Sequence, residues 1–134
     1  MCPPKWNATQ QFCYIFIAHS YTWSAASATC AALNARLPEV PSETENNFIA
    51  NMLRTHGAHS GWLGMEDFAT EGEFVWATSQ ELPEYTNWNS GEPNALVVGD
   101  EDEDCVEMIA SSGKWNDERC EHSIHRFSVI CQKE

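Results

Sequence analysis

An α+β fold is predicted for this chain by three observations. Helical spacing of apolar residues is confined to the first half. Short apolar or alternating runs follow it. Between Thr78 and Asp104 lies a long segment rich in Pro, Asn, Gly and acid, with few strand or helix signals. The 134 residues, 43% of them hydrophobic and six of them tryptophan, suit one domain spanning 1–134 with a real core.

The elements follow in order. Phe12 to Ala18 is aromatic and apolar and reads as a strand. Thr22 to Leu37 reads as a helix, with Trp23, Ala26, Cys30, Leu33 and Leu37 in one buried stripe and Pro38 as its stop. Ser42 and Glu45 form a capping-box pattern that opens a second helix running to about Arg54. Phe48, Ile49, Met52 and Leu53 face inward, and Gly57 ends it. Gly61 to Met65, Phe74 to Ala77, Cys105 to Ile109, Lys114 to Trp115 and Phe127 to Cys131 read as strands. A structureless segment as long as that between Thr78 and Asp104 is usually functional when it lies inside a compact domain.

Composition narrows the function. Twenty acids against seven Lys and Arg give a net charge of −13. Such a surface repels phosphate backbones and anionic membranes, which argues against nucleic-acid binding and membrane association. No run approaches the ~18 apolar residues of a membrane span. Cys2, Cys13, Cys30, Cys105, Cys120 and Cys131 are an even set without a CxxC pair, so a disulfide framework and an oxidising compartment are favoured over zinc. Spacing alone leaves ~15 pairings open. The start Met1-Cys2-Pro3-Pro4 reads as a processed or recombinant one, with any secretory leader already absent. Asn7-Ala8-Thr9 is an N-glycosylation sequon, which suits a secreted, extracellular protein.

The chemistry gathers around the long segment. Glu92-Pro93-Asn94, the run Asp100-Glu101-Asp102-Glu103-Asp104, and Trp115-Asn116-Asp117 beyond a strand supply oxygen ligands rather than nitrogen or sulfur. Hard oxygens select calcium. An acid run by itself is commonly a solvated, self-repelling loop. Here the acids abut Cys105, and Asn116-Asp117 lies close to Cys120. A cation that neutralises an anchored acidic loop explains the arrangement better. The EF-hand pattern is absent.

These residues, in this order, resemble the C-type lectin family over the full length of the chain. The resemblance is carried by Cys2 and Cys13, spaced like the N-terminal pair of the family's long form, and by Trp23 and Cys30. It continues through Trp62-Leu63-Gly64-Met65, Glu92-Pro93-Asn94, Cys105, Trp115-Asn116-Asp117, Cys120 and Cys131. It implies a C-type lectin-like fold of two helices and a small antiparallel sheet with a long calcium-binding loop. It also implies the pairings Cys2–Cys13, Cys30–Cys131 and Cys105–Cys120, and a cis bond before Pro93. The implied main calcium and sugar site is Glu92, Asn94, Glu103, Asn116 and Asp117, with Glu101 as competitor to Glu103. The implied auxiliary calcium site is Asp67, Glu71, Glu103 and Asp104. It lacks an acid at Ala95, for which Asp100 or Asp102 could substitute.

The expected function is that of a secreted lectin binding glycans through Ca²⁺, of the mannose (Glu-Pro-Asn) type, without catalysis. Mannose, N-acetylglucosamine and fucose are the implied ligands. Galactose specificity, or binding of protein, ice or mineral on the same fold, is the alternative. A small glycoside hydrolase is the rival from another class, but no isolated Glu stands in an apolar run that would raise its pKa. Trp62, Trp76, Trp88 and Trp115 read as core rather than sugar-stacking residues, and His56 and His59 as exposed rather than zinc ligands. With every cysteine used, any homo-oligomer is expected to be non-covalent.

Overall fold

Asn7–Ala8 (β1) and Cys13–Ile17 (β2) form a hairpin whose turn is organised by Thr9, the hydroxyl of which accepts the Phe12 N–H at 3.0 Å. The computed structural model describes residues 2–18, 21–93, 104–121 and 127–134, with Phe127 described by its backbone alone. The two-residue β1 carries no apolar alternation, which is why the sequence did not announce it.

Helix α1 spans Trp23–Ala31, and the Thr22 hydroxyl accepts the Ala25 N–H at its start. It stops well before the expected Leu37. Asn34 takes the left-handed conformation, φ 58°, which asparagine tolerates, and the Ala35 N–H closes on the Cys30 carbonyl at 2.9 Å. Trp23, Ala26 and Cys30 are buried as expected. Leu33 is 38% exposed, and Leu37 reaches the core from the extended chain beyond the helix.

Helix α2 spans Glu43–Thr55, with Ser42 accepting the Glu45 N–H and Gly57 at φ 70° beyond its end. The capping box is only half made. The Glu45 carboxylate turns into the core, where it accepts from the Tyr14 hydroxyl at 2.7 Å and from the Thr9 hydroxyl at 3.1 Å. Gln132 in turn donates to the Tyr14 oxygen at 3.1 Å. A buried carboxylate requires such donors, and they tie α2 to β2 and to the last strand.

The remaining strands are β3 (Ser60–Glu66), β4 (Val75–Trp76), β5 (Cys105–Ile109), β6 (Trp115–Glu118) and β7 (Phe127–Lys133). The sheet runs β1-β2-β7-β3-β5-β6, with β4 also on β3. It is mixed rather than wholly antiparallel, because β7 pairs β3 in parallel through Ser60↔Phe127 and Gly61↔Ser128. A parallel neighbour needs a long connection, and the chain from β3 to β7 includes the whole long segment. Strand β6 continues three residues past the expected Trp115 stretch, so Asn116 and Asp117 lie within a strand rather than beyond one.

Ile49, Leu53, Leu63, Val106, Met108, Trp115 and Ile130 pack one apolar cluster, and Trp23, Cys30, Leu37, Trp62, Val129 and Cys131 another. Trp62 and Trp115 are almost wholly buried and Trp76 nearly so, as expected of core residues. Cys2–Cys13, Cys30–Cys131 and Cys105–Cys120 are bonded, and no cysteine is free. Gly64 has a packing reason. A Cβ there would stand 2.7 Å from the Leu37 carbonyl oxygen, at the place where the Gly64 N–H donates to Pro38.

Candidate functional site

Two groups of oxygen donors lie around the β3–β5–β6 part of the sheet. The first begins where β3 runs out. The β3–β5 register shifts between Leu63 and Glu66, and Glu66 then pairs with Cys105. This bulge redirects the chain so that the Asp67 N–H donates to the Asp104 carbonyl at 3.1 Å. Asp67, Glu71 and Asp104 each bring one carboxylate oxygen within 4.8 Å of the others. Glu66 is a functional residue that sequence reasoning missed. Buried itself, it accepts the Phe68 N–H at 2.9 Å and the Gln80 amide at 2.9 Å, which fixes the turn that carries Asp67. Nothing in its local sequence distinguishes it from any other surface glutamate.

The electrostatics of this group favour a cation. Asp67 is 2% exposed, and burial together with the neighbouring Asp104 and Glu71 carboxylates pushes its pKa up to about 7. One oxygen, Oδ2, accepts the Gly72 N–H at 2.8 Å. Asp67 Oδ1 and Asp104 Oδ1 are buried with no hydrogen-bond partner. Buried carboxylate oxygens without donors are costly unless something positive meets them. The donors are all hard oxygens, so the residues present fit calcium. Glu103, also expected here, lies outside the described residues, as do Ala95, Asp100 and Asp102.

The second group is built on β6. Trp115 N–H donates to the Asn87 carbonyl at 2.9 Å, and the Asn89 N–H donates to the Trp115 carbonyl at 2.8 Å. This short ladder lays the segment that ends in Glu92 alongside the strand bearing Asn116 and Asp117. Trp88 packs edge-on against Trp115 and Phe74, which roots the segment in the core. The Glu92 N–H closes a turn on the Asn89 carbonyl, and the Glu92–Pro93 bond is cis. Asp117 is buried, and the Asn116 Oδ1 is buried without a hydrogen-bond partner. Asn116 stands opposite Glu107 of β5 and hydrogen-bonds its carboxylate, which can only accept, so the amide group donates and the amide oxygen is left over. Burial raises the pKa of Glu107. Glu107 too was missed, since its strand reads as plain core. This donor set again fits a hard cation. Asn94, Glu103 and the rival Glu101 lie outside the described residues, and so does the apolar stretch from Ala95 to Val98. His56 and His59 are exposed, and His56 stacks on Phe16.

The fold and the three disulfides are those of a C-type lectin-like domain, and comparison agrees. The Lectin C-type domain family matches residues 19–133, and the chain belongs to that family. It is 39% identical to the low affinity immunoglobulin epsilon Fc receptor of Mus musculus over 133 residues, 99% of this chain and 37% of the receptor. The chain thus spans a little over a third of the length of that relative. Among solved structures it is similar to the cow C-type carbohydrate-recognition domain of CD23, determined in the presence of GlcNAc2Man3 oligosaccharide. That likeness has a TM-score of 0.85 and 33% identity, covering 99% of this chain and 95% of the other. It is also similar to the human scavenger receptor C-type lectin carbohydrate-recognition domain, with a TM-score of 0.87 and 30% identity over 100% of this chain and 99% of the other.

Proposed function

We propose that the chain is a secreted, calcium-dependent, non-enzymatic glycan-binding domain of the mannose type, with Glu92, Asn94, Glu103, Asn116 and Asp117 as its main site. The observation that carries this reading is the buried, unpartnered Asn116 Oδ1 beside buried Asp117, on the strand against which the Glu92 segment is laid. Bound calcium would supply coordination positions beyond the protein oxygens, where two neighbouring sugar hydroxyls can sit. The protein's own part is directional. Glu92 can only accept a hydrogen bond from a hydroxyl, whereas the Asn94 amide can donate one. In the family this chain belongs to, that order is the mannose-type arrangement, which implies equatorial vicinal hydroxyls, as in mannose or N-acetylglucosamine. Asp67, Glu71, Glu103 and Asp104 would form an auxiliary calcium site, a reading supported by the convergence of the Asp67, Glu71 and Asp104 carboxylates. Monosaccharide affinity is expected at the ~mM level per site, raised by multivalent display.

The test is retention on immobilised mannose in calcium, with competition by free mannose and free galactose. Retention should be lost in EDTA, and mannose should compete better. The exchange Glu92→Gln with Asn94→Asp should move preference toward galactose while calcium binding persists. Unchanged retention in EDTA would overturn the calcium reading, and stronger competition by galactose would overturn the sugar class.

A further inference from the structure

The sequon Asn7-Ala8-Thr9 takes no part in the site above, yet the fold gives it a definite setting. Asn7 pairs with Tyr14 on β2, lies on the edge strand of the sheet and is exposed. Residues two apart in extended chain share a face, and the Thr9 hydroxyl donates to Glu45 Oε1 of α2 at 3.1 Å. The Asn7 face therefore looks onto α2. Between the two lies a cleft of about 330 Å³, with Asn7 on one wall and Phe48, Asn51, Thr55 and His56 on the other. That volume is within the range of sites that hold small ligands, ~300–1,000 Å³.

We propose that Asn7 carries an N-linked glycan whose innermost N-acetylglucosamine lies in this cleft. The walls match such a ring. Half-buried Phe48 presents an aromatic surface to the sugar's C–H face. Exposed Asn51 and Thr55 offer an amide and a hydroxyl, able to donate and accept, to its acetamido and hydroxyl groups. The transfer forms one bond, from Asn7 Nδ2 to the anomeric carbon of an oligosaccharide linked to a lipid pyrophosphate. It breaks that carbon's bond to the phosphate oxygen. The lipid pyrophosphate leaves, and the Nδ2 proton passes to the transferase's base. Three disulfides place folding in the oxidising compartment where this donor is found, so the proposal rests on the secretory reading. Its structural consequence is that a bulky, hydrophilic group covers the open edge of β1, an edge otherwise available for pairing with another chain.

The test uses the whole chain secreted from animal cells. The Asn7 peptide should carry a glycan in most molecules, and peptide N-glycosidase should release it and leave Asp at that position. Asn7→Gln should abolish the modification and leave mannose retention unchanged. Thr9→Ala is a poor control because Thr9 also donates to Glu45. In protein trimmed to a single N-acetylglucosamine, nuclear Overhauser cross-peaks should link the sugar's protons to the Phe48 ring and to Thr55. Secreted protein with unmodified Asn7 overturns the site. A modified Asn7 whose sugar shows no cross-peak to Phe48 or Thr55 overturns the seating.

Discussion

Asp67→Asn is expected to have opposite effects with and without calcium. In the ion-free protein Asp67 titrates near 7 instead of its ordinary 3.8, raised by burial and by Asp104. The unfolded chain therefore gives up this proton at lower pH than the folded one. Between about pH 4 and 7 the folded state binds more protons, so ion-free stability falls as pH rises through that window and levels off above it. The gap between 3.8 and about 7 corresponds to ~4 kcal/mol at pH 8. Residual solvation and the remaining Glu71–Asp104 repulsion reduce what the mutation recovers to ~2 kcal/mol. For a domain of this size that is a rise in Tm of ~6–10 °C in EDTA at pH 8. The rise should shrink at pH 5, where the folded carboxyl is already protonated. In millimolar calcium the order reverses, because the variant has lost a ligand and with it part of the stabilisation that binding confers on the native state. Scanning calorimetry of both proteins, at pH 5 and 8, with EDTA and with calcium, reads all these effects. A variant that is less stable than wild type in EDTA at pH 8, or that gains as much as wild type from calcium, would falsify the placing of Asp67 in a cation site.

Gly64→Ala should destabilise by ~1–3 kcal/mol, read as a lower urea midpoint at unchanged slope, because the new methyl meets the Leu37 carbonyl rather than a movable side chain. Removing the Cys30–Cys131 bond by paired alanines should cost ~4–5 kcal/mol, since the bond closes a loop of 101 residues, and native secretion should fall sharply. Mannose retention should decline steeply as pH drops below neutrality, because protons compete for carboxylate ligands. His56→Gln should leave that decline in place, since His56 stacks on Phe16 away from the donor groups, and a flattened profile in that variant would refute the carboxylate origin.

Legibility in the sequence followed the range of the forces involved. Where a local device acts, the sequence shows it: the Ser42 cap, Gly57 past α2 and the β5 run Cys105–Ile109 are where the pattern put them. Asn34 is the counterexample. It ends α1 through a left-handed residue, and the eye passes over it because Pro38 offers a stronger stop and Leu37 keeps the helical spacing while actually being buried from a different direction. Glu45 shows the same competition in energy. Its carboxylate forgoes the local cap for Tyr14 and Thr9, partners more than thirty residues away, which no periodicity reveals. In the site, the family resemblance named Asp67, Glu71 and Asp104, whose carboxylate oxygens the fold brings within 4.8 Å of one another. It did not name Glu66 and Glu107, because each acts by a hydrogen bond across the sheet or loop and carries no motif of its own.

The two donor groups are not independent pieces of the fold. Asp104 immediately precedes Cys105, and Cys105 pairs with Glu66 on one side and Glu118 on the other. One strand position thus joins the turn bearing Asp67 to the strand bearing Asn116 and Asp117, and Cys105–Cys120 closes the same junction covalently. The Asp67 N–H to Asp104 carbonyl bond completes the frame. Repulsion among Asp67, Glu71 and Asp104 works against that bond, and a cation between them works for it. On the proposed assignment, a cation held by Asp67, Glu71 and Asp104 would act at the root of β5, whose partner strand carries Asn116 and Asp117. Loss of charge balance at Asp67 should reach sugar binding through this strand pair, as a lower affinity for immobilised mannose at a given calcium concentration rather than as a changed preference between sugars. On the proposed reading, the choice between sugars rests on Glu92 and Asn94 rather than on the Asp67 group.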